Sequence, residues 1–354
     1  MLKHRKVLCI ICAALAVLPL LCACGNDPNE ASDDTGTHGK SYFSYFDTVS
    51  YIYSYAGDSA ERFDELSAEA SAVLGDYHRL FDIYHEYSGL NNLCTVNKNA
   101  GGEAVQVDDR LIDFLIYAKE LYTVTNGEFN VMLGAVLSLW HDCREAADSG
   151  TATVPDKALL EEKAQHISIE LLEIDSVNKT VRIADENASI DVGALGKGYA
   201  VEKAAQRLIE LGGEGYVLNV GGNIRTIGTQ ADGSGWITGV KDPEAPDERL
   251  ALKLNIKDIS CVTSGIYERY FTVNGVRYHH IIDKDTLYPS EYFSSLTVLT
   301  HDSGLADALS TSLFCMSIDD GKALLNSLDE TADVIWILPD GSIECTDGVE
   351  SMLA

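Results

Sequence analysis

The pattern of apolar and polar positions divides this chain into an apolar beginning, a polar segment and a long region with the periodicities of strands and helices. Residues 7–21 are apolar almost without interruption. That run is too short for a comfortable membrane span of about 20 residues, and its length is typical of a signal-peptide core. Residues 25–40 are polar, rich in Gly and Asp and aperiodic, which is typical of a flexible tether. We therefore expect the folded domain downstream of both segments.

The periodic region predicts interleaved strands and helices. Aromatic and β-branched residues at 41–55 predict strand structure that begins near Tyr42. The spacing of apolar residues predicts helices over 59–76 and 108–122. Strand-turn-strand patterns then alternate with helical ones over 167–346. Because hairpins and helices interleave without regular βαβ spacing, we predict an α+β fold of mixed sheets with flanking helices.

The beginning of the chain carries the features of an export signal with a lipid anchor. Basic residues precede the apolar run, which ends in the sequence LCACG at 21–25. This sequence resembles a bacterial lipobox, in which Cys24 becomes the lipidated first residue; the alternative is an ordinary signal peptide with an incidental Cys. We expect a lipoprotein signal peptide at 1–23, a tether at 24–41 and the domain at 42–350. The mature protein is then held by lipid on the extracytoplasmic face of the cell membrane.

Charge and cysteine content narrow the classes of partner. The chain has 55 acidic and 26 basic residues, a formal net charge of −29. Such a surface argues against a nucleic-acid partner, because binding to phosphate backbones relies on Lys and Arg. It does not exclude a small anionic ligand, since a cleft can be locally positive. The cysteines after Cys24 show neither CxxC pairs nor zinc-site spacing, so we expect small buried hydrophobic residues.

The most informative stretch is the glycine-rich segment SIDVGALGKGYA at 189–200. It predicts a strand that ends at Asp191, a turn, and a helix that runs to Leu211. Lys197 lies near the N-terminus of that helix, where a cation is disfavoured unless an anion such as phosphate binds there. The segment is not a Walker A loop, because Gly198 stands where that motif needs Ser or Thr. A purely structural strand-to-helix turn is the alternative.

Two further stretches could contribute to a site. Gly221 and Gly222 follow a predicted buried strand, where the backbone could approach a ligand or form a bulge. A hairpin through 274–275 then leads to His279 and His280, which fall on opposite faces of a strand, so at most one faces a given pocket. That histidine could be structural, or it could serve as a general base.

A predicted helix over 305–314 offers oxygen ligands for a metal ion. Asp307 and Thr311 are four residues apart and therefore share one face of this helix. A carboxylate and a hydroxyl suit Mg²⁺, which completes its coordination with water and phosphate. The alternative is that Asp307 is a solvated residue of the first helical turn.

Together, the order and content of these segments resemble the FAD:protein FMN transferase (ApbE) family. IDVGALGKGYA, NVGGNI, TSGIYERYF, HHIID and ADALST follow one another, and the resemblance runs from Phe46 to at least Ser317 and includes TNGEFN at 125–130. It implies a two-lobed single catalytic unit with FAD in a cleft and Mg²⁺ against its pyrophosphate. The pattern departs from the family at Asp47 and Asn130, where Gly and Asp are common, and after Asp283, where Pro and Gly are replaced.

By motif, the resemblance implies roles for individual residues. Mg²⁺ is expected on Asp307, Thr311 and the backbone carbonyl of Ala194, and His280 is the candidate base for the attacking hydroxyl. The residues expected to contact FAD are Phe46, Tyr84, Glu128, Phe129, Asn130, Asp191, Lys197 and Ile281.

The implied reaction is Mg²⁺-dependent transfer of FMN from FAD to a Ser or Thr hydroxyl of an exported flavoprotein, such as a redox-pump or electron-transfer subunit, with release of AMP. Two alternatives keep parts of this site. With water as the acceptor, the protein is an FAD pyrophosphatase that yields FMN and AMP. Without catalysis, it is a flavin-binding lipoprotein, and that version does not need the paired Asp307 and Thr311.

Overall fold

The computed structural model describes residues 37–55 and 57–354, in which strands and helices alternate along the chain. The strands are β1 (His38–Tyr45), β2 (Thr48–Ser54), β3 (Val105–Gln106), β4 (Leu172–Asp175), β5 (Thr180–Ile183), β6 (Tyr216–Val220), β7 (Asn223–Ile227), β8 (Trp236–Lys241), β9 (Leu250–Ile256), β10 (Ser260–Gly265), β11 (Tyr270–Val273), β12 (Val276–His279), β13 (Ser295–Thr300), β14 (Ala332–Ile337) and β15 (Ile343–Cys345). The α-helices are α1 (Ala60–Phe81), α2 (Leu93–Lys98), α3 (Asp109–Val124), α4 (Gly134–Asp148), α5 (Lys157–Lys163), α6 (Gly196–Glu210), α7 (Ser303–Ser312) and α8 (Ile318–Ser327).

The largest sheet has the order β1-β2-β6-β7-β10-β13-β14-β15. Each neighbouring pair in it is antiparallel. Smaller sheets are formed by β3-β5-β4, β8-β9 and β11-β12. All six residues of β13 are buried, as expected for a strand near the middle of a sheet that is covered on both faces. Antiparallel sheets combined with helices confirm the predicted α+β fold.

Helices α1, α6 and α7 pack together and against the large sheet. The faces that α6 turns inward are rich in small residues, with Ala200, Ala204 and Ala205 fully buried. Alanine at these positions lets neighbouring helix axes approach closely without leaving voids. The same core includes Leu66 of α1 and Leu309 of α7, both fully buried. This packing fixes the N-terminal end of α6 beside α7.

Several predicted boundaries are wrong by a few residues. The sheet begins at His38, so residues 38–41 belong to β1 and not to the predicted tether. β1 is an edge strand, where polar side chains can face solvent, and Lys40 forms an ion pair with Asp64 at 2.8 Å. Helix α1 continues five residues beyond the predicted end at Asp76, because Tyr77, Leu80 and Phe81 are buried in the core.

The folded domain extends beyond the predicted C-terminal limit at residue 350. The described residues belong to one compact unit, Gly36–Ala354, and backbone pairing continues past 350, where Ala354 donates to the Lys253 carbonyl at 3.0 Å. The predicted signal peptide and Cys24 lie outside the described residues. Within 37–55 and 57–354, the helices are too short or too polar to cross a membrane.

Candidate active site

A cleft of about 750 Å³ lies where the N-terminal end of α6, helix α7 and the β11–β12 hairpin meet the loops at 82–85 and 128–130. Its volume is in the range of small-molecule sites. Every residue that the sequence predicted for FAD, metal or base chemistry lines this cleft: Phe46, Tyr84, Glu128, Phe129, Asn130, Asp191, Ala194, Lys197, His280, Ile281, Asp307 and Thr311. The structure therefore brings the predicted residues together, although they come from segments more than 250 residues apart.

The glycine-rich segment forms a turn that leads into α6. The predicted strand before Asp191 is reduced to a single bridge between Ser189 and Leu133. Asp191 is held on both sides: its backbone N–H donates to the Val131 carbonyl, and its Oδ1 accepts from Gly193 N–H, each at 2.8 Å. Helix α6 then begins without a side-chain cap. The Gly196 N–H already donates to the Val192 carbonyl at 2.7 Å, so the backbone N–H of Lys197 is the first-turn group left for an anion in the cleft.

The first turn of α6 contacts the buried carboxylate of α7. Asp307 is 4% exposed, and its Oδ2 accepts from the backbone N–H of Gly198 at 2.8 Å. The ammonium of Lys197 lies 3.7 Å from Asp307 Oδ1. A Cβ on Gly198 would lie 2.2 Å from the Ser303 carbonyl oxygen, so only glycine allows α6 and α7 to approach this closely.

The donor types that line this corner of the cleft are those that suit a magnesium ion. Thr311 follows Asp307 by one helical turn on α7, and the Ala194 carbonyl belongs to the turn before α6. Carboxylate, hydroxyl and carbonyl oxygens are the hard donors that Mg²⁺ prefers, and few protein ligands leave room for water and phosphate. In the described part of the chain no cluster of three or more His, Cys, Asp and Glu could hold a metal ion. A site for a softer ion such as Zn²⁺ is therefore not evident there.

The two adjacent histidines of the β11–β12 hairpin have different environments. His279 is buried, with Nε2 bonded to the Ser290 carbonyl at 2.9 Å and Nδ1 accepting from Ile281 N–H at 3.3 Å. Both of its ring nitrogens hold the loop after β12 in place. His280 lines the cleft, and its Nδ1 lies 3.1 Å from the Arg269 carbonyl. Since a carbonyl only accepts, Nδ1 carries the proton and Nε2 keeps the free lone pair that a base requires.

Electrostatics keep the His280 ring neutral. Burial, together with the nearby charge of Arg269, lowers the pKa of His280 to about 3. In the same cleft, burial raises the pKa of the Asp191 carboxyl, while His141, Arg269 and Arg144 oppose that rise. Arg144 and Arg269 thus bring positive charge to this part of the cleft, where an anionic ligand could bind.

The loop at 128–130 is held by its own polar groups. The Thr125 hydroxyl accepts from Phe129 N–H at 3.0 Å. The Asn130 amide donates to the Ile167 carbonyl at 2.8 Å and accepts from Met132 N–H at 2.9 Å. With both ends of its amide used, Asn130 fixes the backbone that lines the cleft.

Sequence reasoning missed several residues of the cleft. Lys284, at the altered position after Asp283, lies 3.3 Å from Glu128 Oε1 and opposes the effect of burial, which raises the pKa of Glu128. His141 stacks on Tyr84 with ring centroids 5.2 Å apart. Arg269 lies in the TSGIYERYF segment at 263–271, and the sequence does not indicate its place in the cleft. These pairs join distant segments, so spacing along the chain gives no signal for them.

A second departure from the family pattern has a local explanation. Phe46 and Asp47 form the turn between β1 and β2, and both have positive φ, 53° and 52°. Glycine adopts this conformation freely, whereas Asp is one of the few other residues that tolerate it. The turn is also held by the Phe46 N–H, which donates to His78 Nδ1 at 3.2 Å. Asp47 therefore keeps the turn geometry without glycine.

Comparisons with known proteins agree with this architecture. A family model described as the ApbE family matches residues 46–336. An FAD:protein FMN transferase of Treponema pallidum is 31% identical over 301 residues, which cover 80% of this chain and 82% of that protein. The ApbE protein of Thermotoga maritima has a TM-score of 0.78 at 27% identity and covers 90% of this chain and 99% of its own. The flavin transferase ApbE from Vibrio cholerae, with a TM-score of 0.72 at 24% identity over 90% of this chain and 100% of its own, shares the fold.

Proposed function

This chain belongs to the ApbE family, and on that premise we propose that it transfers the FMN half of FAD to a Ser or Thr hydroxyl of an extracytoplasmic flavoprotein, with Mg²⁺ and release of AMP. The observation that carries the proposal is the joint placement of Asp307, Lys197 and His280 in one cleft. An anion site, a set of oxygen ligands and a neutral imidazole are the groups that this chemistry requires.

Asp307, Thr311 and the Ala194 carbonyl are the residues that would hold the metal. When bound there, Mg²⁺ supplies neutralisation of the charge that develops on the pyrophosphate. The Lys197 ammonium and the Lys197 backbone N–H at the start of α6 bind phosphate oxygens from the protein side. Tyr84, which is 54% exposed, presents an aromatic ring at the cleft on which a planar heterocycle can stack.

The proposed reaction joins the acceptor hydroxyl oxygen to the FMN-side phosphorus. The bond from that phosphorus to the bridging oxygen breaks, and AMP leaves with the bonding electron pair. The hydroxyl proton passes to Nε2 of His280, whose Nδ1 is held by the Arg269 carbonyl. Bound phosphates bring negative charge beside Arg269 and Lys197, and this raises the proton affinity of His280 when substrate is present.

The cellular location is part of the same proposal. The basic start, the apolar run at 7–21 and the LCACG sequence support export and lipidation at Cys24. A covalently attached flavin suits an acceptor outside the cytoplasm, because it cannot diffuse away. Labelled palmitate incorporated in cells by the native chain but not by Cys24→Ala tests the anchor; equal labelling of both would rule out Cys24.

The activity is tested with residues 25–354, which include every described residue. FAD, Mg²⁺ and a flavoprotein acceptor domain should give a fluorescent acceptor band that survives SDS, and an acceptor whose target hydroxyl is replaced by Ala should stay unlabelled. Free FMN without labelled acceptor would assign the protein as a pyrophosphatase. FAD recovered intact would assign it as a flavin-binding protein.

Variants of Asp307 in α7 and of Asp302 at its N-cap separate metal binding from helix stability. Asp307→Ala should abolish Mg²⁺-dependent turnover, because it removes the carboxylate in the cleft. Asp302→Ala is the matched control: Asp302 caps α7 by accepting from Leu305 N–H at 2.7 Å. The variant loses this cap and the bond from the Tyr117 hydroxyl at 3.1 Å. Together these losses should cost about 1–3 kcal/mol of stability and leave Mg²⁺-dependent turnover. An unchanged rate in Asp307→Ala would refute the metal assignment.

A further inference from the structure

One buried polar side chain of the cleft has no partner in the described part of the chain. Asn223 is 2% exposed and lines the cleft, and neither Nδ2 nor Oδ1 of its amide makes a hydrogen bond there. Buried amides are almost always hydrogen-bonded, because leaving both a donor and an acceptor unpaired is costly. By contrast, the amide of Asn219 in the same NVGGNI segment has a partner, because its Oδ1 accepts from Gly222 N–H at 3.0 Å.

The strand pairing sets the direction of the Asn223 side chain. Asn223 is the first residue of β7 and lies opposite Val262 of β10. Side chains two residues apart on a strand share a face, so Asn223 faces the same way as Arg225. Arg225 Nε lies 3.2 Å from Glu202 Oε2 on α6, and the same oxygen accepts from Ser303 N–H at the start of α7. Asn223 therefore points toward α6 and α7.

The helices place Asn223 beside the phosphate end of the cleft. Gly198 is four residues before Glu202 on α6, and Asp307 is four residues after Ser303 on α7; these two residues contact each other directly. One helical turn and a two-residue step along a strand are of similar length, about 5.4–6.8 Å. Arg225, Glu202 and Ser303 therefore lie at one level of the packed helices and strand. One helical turn closer to the cleft lie Asn223, Gly198 and Asp307. Asn223 and Asp307 line the cleft, and Gly198 follows the lining residue Lys197.

Strand β10, which pairs with β7, also contacts α7 near Asp307. Ser264 of β10 is two residues beyond Val262 and shares its face; its hydroxyl lies 2.9 Å from the Ser310 hydroxyl. Ser310 in turn donates to the Asp307 carbonyl at 2.9 Å. Ser264 and Ser310 thus already have partners, whereas the Ser303 hydroxyl, like the Asn223 amide, has none in the described part of the chain. The Asn223 amide makes no bond to these neighbours and is left for a molecule in the cleft.

We propose that Asn223 is a substrate-binding residue whose Nδ2 donates a hydrogen bond to a phosphate oxygen of the bound dinucleotide beside Asp307. This inference rests on the proposed function, which places a pyrophosphate at this end of the cleft. An amide suits the position because it adds a donor without a further positive charge next to Lys197. The unliganded protein bears the cost of the unpaired amide, and the bound phosphate relieves the part of that cost that comes from Nδ2.

The test uses the purified full-length protein and three ligands: FAD, ADP and riboflavin. In Asn223→Leu and Asn223→Ala, affinity for FAD and for ADP measured by calorimetry should fall about 10- to 100-fold, the range for a hydrogen bond to a charged group. Affinity for riboflavin, which has no phosphate, should stay the same. Because Leu fills the site without a polar group, the unliganded Asn223→Leu protein should melt at the same temperature as the native protein or higher.

The matched control is Asn219→Ala, which removes an amide that is already paired within the chain. It should lower the melting temperature and change FAD affinity less than Asn223→Ala. A lower melting temperature with unchanged FAD affinity in Asn223→Leu would show a purely structural role and overturn the inference. Equal losses for riboflavin and ADP would also overturn it. If the native protein itself does not bind FAD, the proposed function fails instead.

Discussion

The backbone N–H of Gly198 donates a hydrogen bond of 2.8 Å to Asp307 Oδ2, and this contact joins the first turn of α6 to the buried carboxylate of α7. One oxygen of Asp307 is thereby oriented by the helix start, while the other lies 3.7 Å from the Lys197 ammonium. The absence of a side chain at residue 198 is what makes the approach possible. The oxygen ligands and the anion site therefore depend on how closely two helices pack.

A methyl group at residue 198 should disrupt this corner. Gly198→Ala places Cβ 2.2 Å from the Ser303 carbonyl oxygen and 2.5 Å from Asp307 Cβ, and the nearer of these contacts is backbone. We expect a loss of about 1–3 kcal/mol in unfolding free energy and weaker Mg²⁺-dependent FAD turnover. Gly196→Ala is the control, because its Cβ meets only the Phe81 side chain at 3.2 Å and the Val192 side chain at 3.5 Å among close contacts. Equal effects of both variants in urea unfolding and turnover would contradict this account.

Removal of one partner from the buried ion pair behind this corner should be strongly destabilising. Arg225 is 1% exposed, and its Nε lies 3.2 Å from Glu202 Oε2. Arg225→Ala leaves the Glu202 carboxylate buried without its cation, which should cost about 3–5 kcal/mol. Arg249→Ala is the control, since Arg249 pairs with Asp242 at 3.1 Å on the surface and should cost less than about 1 kcal/mol. Urea unfolding measures both, and similar losses would show that Glu202 is not dependent on Arg225.

Much of the fold follows from local sequence patterns. The 3.6-residue period that predicts the helix ending near Leu211 corresponds to α6, and the Asn274-Gly275 turn joins β11 to β12 as expected. Patterns fail where contacts between distant segments decide the structure. β1 begins at His38 because it pairs with β2, and its polar residues alone predict a tether. The pairing of Lys284 with Glu128 likewise depends on folding.

The candidate site also has features that the sequence predicts and features that only the structure shows. Motifs identified the residues that line the cleft, and the family resemblance pointed to His280 as the base. The strand spacing by itself only placed His279 and His280 on opposite faces. The hydrogen bonds of His279 to Ser290 and Ile281 distinguish them. Asn223 lies in the NVGGNI segment at 219–224, yet only the burial of its unpaired amide distinguishes it. The burial of a side chain and its hydrogen-bond partners depend on how distant segments pack. The periodicity of the sequence therefore does not predict them.

Replacement of the two histidines should separate catalysis from stability. His280→Ala removes the base in the cleft and should lower kcat by about 10²–10⁴-fold with a melting temperature close to that of the native protein. His279→Ala removes the bonds to the Ser290 carbonyl and Ile281 N–H, so it should mainly lower the melting temperature. Steady-state kinetics and thermal unfolding on both variants check this, and a full rate in His280→Ala would remove the residue from the mechanism.

The lowered pKa of His280 also predicts how stability depends on pH. The ring has a pKa of about 3 in the folded protein, because burial and Arg269 disfavour its charged form, whereas an unfolded histidine has a pKa near 6.5. As the pH falls below about 6.5, the unfolded chain binds a proton that the folded protein does not bind, so stability is lost progressively down to about pH 3. His279, whose pKa is also lowered by burial, contributes with the same sign.

We expect His280→Gln to lose less unfolding free energy between pH 7 and pH 5 than the native protein, by at most about 1.4 kcal/mol per pH unit. Urea unfolding at both pH values measures the difference, and parallel losses in the two proteins would mean that the His280 ring is already accessible to protons in the folded state.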